Sequence, residues 1–167
     1  MREGLFSTLI AMHGPLTDAR FLDLYAGSGA VGLEALSRGA VQVLLVESDR
    51  RAAATISANA AAVDLPGAQV RTVPVERLVT TGPDEPYDVV FADPPYDLGV
   101  SRLDDILRGL RGHGWLAPDA LVVVERATRG GPVAWPDGYK PDRSRSYGEG
   151  TLWYARRAER EQPSRER

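Results

Sequence analysis

A chain of 167 residues, 43% of them hydrophobic and without an apolar run of membrane-spanning length, is expected to form one soluble domain around a sizeable core. Its formal net charge of -3 argues against a protein that coats nucleic acid indiscriminately, because a field of that sign repels phosphates. Zero cysteines exclude disulfides, thiolate metal sites and a cysteine nucleophile, and Met1 to Phe6 show no export signal, so a cytoplasmic location is expected.

From the amino end, Leu5, Phe6, Leu9, Ile10 and Met12 recur at helical spacing, which predicts an amphipathic helix over 2–13 ending before Gly14-Pro15. RFLDLY (20–25) follows as a strand and leads into LDLYAGSGAVG, where Gly27, Gly29 and Gly32 stand in G-x-G-x-x-G spacing before a predicted helix over Ala30–Arg38. Such a loop lets backbone approach a ligand closely, but the same spacing serves NAD, FAD and S-adenosylmethionine. Asp23 separates these ligands. An acid near the end of the strand repels a pyrophosphate, whereas the ammonium and sulfonium of S-adenosylmethionine lower its energy.

VQVLLVE (41–47) is the second strand, and its terminal Glu47 lies about twenty residues past the glycines, where an acid can accept ribose hydroxyl hydrogen bonds. An Ala-rich helix over Asp49–Val63, a strand AQVRTV (68–73) and a short helix over Val75–Val79 come next. YDVVFA (87–92) is then a strand that should lie beside the first, so that Asp93 reaches the same edge as the glycine loop.

The corner after it, Asp93-Pro94-Pro95-Tyr96, combines a carboxylate, two prolines and a ring. Proline fixes φ and lacks an amide hydrogen, so carbonyls there are expected to face outward as unpaired acceptors. Such acceptors suit an exocyclic amine of a nucleobase: the Asp93 carboxylate and the Pro94 carbonyl would hold its N–H bonds and localise its lone pair, while Tyr96 stacks on the base.

A helix over Leu103–Arg111 and a strand ALVVVE (120–125) complete the alternation, which means βαβ units and a doubly wound parallel sheet. Residues 127–143 are expected as a Pro/Gly-rich loop, RSYGEGTLWYAR (145–156) as a hairpin turning near Gly148-Glu149-Gly150, and the charged residues 158–167 as a frayed tail. His13 and His113 lack ligand-like spacing, so no metal site is expected.

REGLF, LDLYAGSGAVGLEALSRGA, VLLVESD, FADPPY, GWLAPDALVVVER and YGEGTLWYA together resemble the RsmD family of class I S-adenosylmethionine-dependent methyltransferases, in the family's order and over about nine tenths of the chain. The resemblance implies a Rossmann-like, mostly parallel seven-stranded sheet with a C-terminal antiparallel hairpin, in one domain over 1–157. It also implies a cofactor loop of Asp23, Tyr25, Ala26, Gly27, Ser28 and Gly29, with Glu47 at the ribose, Ser48 and Asp93 among the cofactor-binding residues, and Asp93 to Tyr96 at the target amine. The target would be the N2 amine of a guanine in 16S rRNA, displayed in an assembling small ribosomal subunit to a monomeric enzyme. Two features depart from the family pattern. VPVERL stands where relatives carry Asp or Asn after the third strand, leaving Val75 to meet adenine through its backbone. The family's basic amino-terminal arm, rich in Gly and Arg, is not in the sequence, either lost or lying upstream of the assigned start, so weak RNA capture by this chain alone is expected.

Two rivals remain at this point: a DNA adenine-N6 or cytosine-N4 methyltransferase, and a catalytically silent module that keeps S-adenosylmethionine. The first generally needs a target-recognition region for which this chain has little room. The second would survive loss of Asp93.

Overall fold

The computed structural model describes residues 1–159. In chain order they form α1 (Arg2–His13), β1 (Arg20–Leu24), α2 (Ala30–Ser37), β2 (Gln42–Val46), α3 (Arg50–Val63), β3 (Ala68–Arg71), α4 (Val75–Leu78), β4 (Tyr87–Ala92), α5 (Val100–Gly112), β5 (Leu116–Ala127), β6 (Tyr139–Tyr147) and β7 (Gly150–Arg157). One seven-stranded sheet has the order β3-β2-β1-β4-β5-β7-β6. Strands β1 to β5 run parallel, while β7 is antiparallel to both β5 and β6.

The continuous apolar strands are buried on both faces, as a parallel sheet under two helical layers requires. Residues alternate between the two cores. Phe21, Val43, Leu45, Phe91 and Val123 pack with Leu5, Phe6 and Leu9 of α1 and with Leu33 and Ile56 of α2 and α3. Leu22, Leu44, Val90 and Val122 face the other way, onto Leu78 of α4 and Ile106 and Leu110 of α5. The strand order reverses between β1 and β4, and it is at such a switch point, at the carboxyl ends of the strands, that ligands bind these sheets.

Three expectations are corrected. Strand β5 starts at Leu116 rather than 120, because Trp115 is buried and its indole N–H donates to the Thr81 carbonyl at 2.6 Å, which pins the strand's entry. The loop expected over 127–143 is shorter than that: a 3-10 turn at Thr128–Gly130 precedes an open stretch, and β6 already begins at Tyr139. Pro141 suggested a loop, but β6 is an edge strand with a bulge between Pro141 and Arg143, where a missing amide hydrogen costs little. Of the expected tail, Ala158 is still tied to the fold by its N–H donating to the Gly138 carbonyl at 2.9 Å; 160–167 lie outside the described residues.

Candidate active site

The glycine loop leaves β1 through Tyr25, whose φ of 58° is in the left-handed region that a bulky residue seldom adopts. Its hydroxyl donates to Glu76 Oε1 at 2.9 Å, anchoring this strained corner to α4. Gly27 follows at φ 60°, and a Cβ there would meet nothing within 4 Å, so the glycine serves the turn and leaves open space for a ligand. Gly32 is needed for a different reason. A Cβ there would stand 2.7 Å from Leu45 Cδ2 and 3.0 Å from Asp23 Oδ2, so glycine allows α2 to press onto the sheet.

Asp23 is only 1% exposed and accepts the Gly32 N–H at 2.9 Å. Burial raises its carboxyl to about 7, against the lowering effect of that hydrogen bond, and the nearby Asp93 and Glu47 carboxylates add to the rise. A group so placed is short of positive charge. Asp23 lines a cleft of about 320 Å³ together with Tyr25, Gly27, Ser28 and Asp93, within the ~300–1,000 Å³ range of small-molecule sites. The cationic amino-acid end of S-adenosylmethionine fits this cleft on two counts, the open space at Gly27 and the uncompensated acid at Asp23.

Glu47 is less free than its position in sequence suggested. Its Oε1 accepts the Gly27 N–H and its Oε2 the Asp49 N–H, both at 2.9 Å, so the carboxylate ties the loop to the end of β2. Each oxygen keeps a lone pair for a hydroxyl. Ser48 is exposed beside it, and Asn59 of α3 donates to the Ser28 carbonyl at 3.2 Å. Val75 has its side chain in the core at the start of α4, leaving only its backbone toward a ligand.

At the end of β4, Asp93 opens onto the same cleft as Gly27, so the two motifs that lie far apart in sequence share one wall. Partial desolvation raises its carboxyl above the ordinary value. Pro94 is buried, and its carbonyl takes no hydrogen bond among the described residues. The Pro95 carbonyl is a correction: it accepts the Leu98 N–H at 2.9 Å, closing a turn, and is not the free acceptor expected. Tyr96 is 93% exposed, with both ring faces open to solvent.

Two residues of β5 complete the site, and no sequence motif assigned a role to either. Arg126 donates from Nη2 to the Leu98 carbonyl at 2.7 Å, with Nη1 at 3.5 Å from the Pro95 carbonyl, and so braces the corner after Asp93. Glu125 lines a second recess beyond Asp93, shared with Pro94 and Tyr96. The VVVER run was a family signature in the sequence, but the destinations of its last two side chains depend on strand register. A larger cavity of about 520 Å³ lies at the opposite edge, where Arg20, Gln42 and Tyr87 begin their strands, away from the switch point and from the acid and ring cluster.

With this geometry in view, comparison with known proteins is decisive. The family model described as conserved hypothetical protein 95 matches residues 1–156. The chain belongs to the RsmD family of class I S-adenosylmethionine-dependent methyltransferases. Ribosomal RNA small subunit methyltransferase D of Escherichia coli K12 is 35% identical over 150 residues, covering 89% of this chain and 72% of that protein. The solved structure of yhhF from Escherichia coli, assigned as a methyltransferase, superposes with a TM-score of 0.85 at 33% identity, covering 95% of this chain and 86% of that one. A more distant relative, the tRNA1(Val) (adenine(37)-N6)-methyltransferase of Aeromonas hydrophila, is 30% identical over 131 residues, covering 75% of this chain and 54% of that protein. Among the described residues no helix is long and apolar enough to cross a membrane.

Proposed function

We propose that this RsmD-family protein transfers a methyl group from S-adenosylmethionine to the exocyclic N2 amine of a guanine in 16S rRNA. The observation that carries the reading is the shared cleft, with Asp23 and Gly27 on one side and Asp93 on the other. Asp23 would hold the cationic end of the donor, Glu47 and Ser48 the ribose, and the Val75 backbone the adenine. When bound, S-adenosylmethionine supplies an electrophilic methyl carbon on a sulfonium, to which a nitrogen lone pair bonds as the carbon–sulfur pair returns to sulfur.

The protein's part is to make a poor nucleophile attack. The Asp93 carboxylate and the Pro94 carbonyl each accept an N–H of the amine, which localises the lone pair and aims it toward the Asp23 side of the cleft. Tyr96 stacks on the base and holds its plane. As the new nitrogen–carbon bond forms, the nitrogen loses one proton; Asp93, with its carboxyl pushed up, is placed to take it and pass it to water. Pro95 and Arg126 keep the corner stiff. We place the protein in the cytoplasm as a monomer; its net charge of -3 offers little capture of free RNA, which favours RNA displayed in an assembling small subunit as its substrate.

Mass spectrometry of ribosomal RNA from a strain lacking the gene tests this. One N2-methylguanine of the small subunit should vanish, and the purified protein with S-adenosylmethionine should restore it on particles from that strain. Survival of every N2-methylguanine would exclude the assignment. The adenine-N6 relative keeps a second reading open, in which the same clamp holds an adenine amine, and loss of an N6-methyladenine in that strain would select it.

A further inference from the structure

We propose that Glu125 identifies the base: its carboxylate accepts the ring N1–H of guanine while Asp93 accepts from the adjoining N2 amine. This rests on the reading of the target as a guanine N2 amine.

Register places the two acids together. Phe91 pairs with Val123 and Ala92 with Val124, so the next step along the parallel strands sets Asp93 beside Glu125. Both lie on the face toward α1, because Phe91 and Val123, two residues earlier in each strand, share the core beneath that helix. Neighbouring strands stand about 4.8 Å apart, a span over which two carboxylates can bracket adjacent N–H donors on one purine edge. Between them opens a recess of about 230 Å³, lined by Asp93, Pro94, Tyr96, Glu125, Arg126 and Gly150, with the exposed Tyr96 ring at its mouth.

Glu125 is left without a partner in this recess. Its Oε2 is buried and takes no hydrogen bond from the described residues, a cost that is removed when the carboxylate rotates to present that oxygen to a donor in the recess. Burial, and then the neighbouring Asp93 carboxylate, push its carboxyl above the ordinary value, and a donor from the base would reverse that penalty. Arg126, next in the chain, also lines the recess, but its guanidinium is held by the Leu98 carbonyl at 2.7 Å and makes no ion pair with Glu125 among the described residues. Room around the carboxylate is small: a Cβ at Gly150 would lie 3.2 Å from Glu125 Oε1, so any side chain there would crowd it.

The selectivity follows from donor and acceptor positions. Guanine presents N1–H beside its C2 amine, so both acids are satisfied at once. Adenine presents a bare N1 lone pair beside its amine, which faces an acceptor and leaves Glu125 buried and unpaired, a mismatch that polar sites reject strongly.

The test uses 2-aminopurine, which keeps the amine at C2 but has a lone pair at N1 and no N1–H. Small-subunit RNA is ligated to carry guanine or 2-aminopurine at the position found by mass spectrometry, assembled into particles, and methylated by the full chain. Wild-type kcat/KM should favour guanine by about 30-fold, within the range for one matched polar contact. In Glu125→Ala the guanine rate should fall to the 2-aminopurine level, bringing the ratio near one, with the Kd for S-adenosylmethionine unchanged. The near-isosteric Glu125→Gln, which preserves packing should the alanine variant fail to fold, can donate to the bare N1 and should cut the ratio about 10-fold. A ratio unchanged in Glu125→Gln overturns the proposal while leaving the guanine assignment intact. A wild-type protein that methylates adenine and never guanine removes the assignment itself, and this proposal with it.

Discussion

The two halves of the cleft are built on opposite principles. On the glycine-loop side the protein supplies the hydrogen bonds itself and leaves only the charge of Asp23 uncompensated: Gly27 and Asp49 donate to Glu47, Gly32 to Asp23 and Asn59 to the Ser28 carbonyl. On the Asp93 side the polar groups wait: the Pro94 carbonyl and Glu125 Oε2 lack partners among the described residues and the Tyr96 ring stands in solvent. A small donor molecule can enter a cradle already in place, whereas a base that must first be unstacked needs unpaired groups to repay that cost. The cofactor half should therefore tolerate loss of one contact better than the target half tolerates loss of its central acid.

The largest effect expected is at Asp93. Asp93→Ala should lower kcat by about 1,000-fold, the scale of losing a group that acts on the reacting atoms, while calorimetric binding of S-adenosylmethionine stays within about threefold. Equal losses in both measurements would erase the division between the halves.

Next comes Asp23, whose carboxyl sits at about 7. A cationic ligand favours its ionised form, so affinity for S-adenosylmethionine should rise with pH through about 7. Asp23→Asn should bind about 30-fold more weakly at pH 8 and lose that pH dependence. Stability runs the other way. With a native pKa raised from 3.8 to about 7, the folded chain binds more protons than the unfolded chain between those values, so Asp23 makes stability fall as pH rises across that window. Denaturant unfolding of Asp23→Asn should show a flatter pH profile and greater stability at pH 8; a steeper one would refute the burial argument.

Tyr96 should matter less. Tyr96→Ala should cost about 10-fold in kcat/KM, the scale of one base–aromatic stack, and Tyr96→Phe should stay near wild type, since the proposed stacking uses the ring and not the hydroxyl. The smallest change is expected from Asn59→Ala, which removes one exposed hydrogen bond to the loop at Ser28 and should weaken donor binding by about threefold with kcat unchanged.

The motif residues and the strands were readable along the chain because their signals are local. Continuous apolar runs name buried parallel strands, glycines at fixed spacing name a strand-to-helix turn, and an acid followed by two prolines and a tyrosine names a stiff polar corner. Boundaries failed where a local signal met a tertiary exception, as at Pro141, which the edge position of β6 accommodates. The Pro95 carbonyl looked free until a turn to Leu98 and the Arg126 side chain claimed it.

The amino-acid order alone thus determined the fold class, the glycine loop and the acid at the end of β4, since each is a pattern among near neighbours. Only the tertiary structure decided that Tyr25 is anchored by Glu76, that Arg126 braces the corner, and that Glu125 stands beside Asp93 with an oxygen unpaired among the described residues. These pairings join residues more than twenty-five positions apart, and a slip of one residue in strand register would turn each side chain to the other face of the sheet.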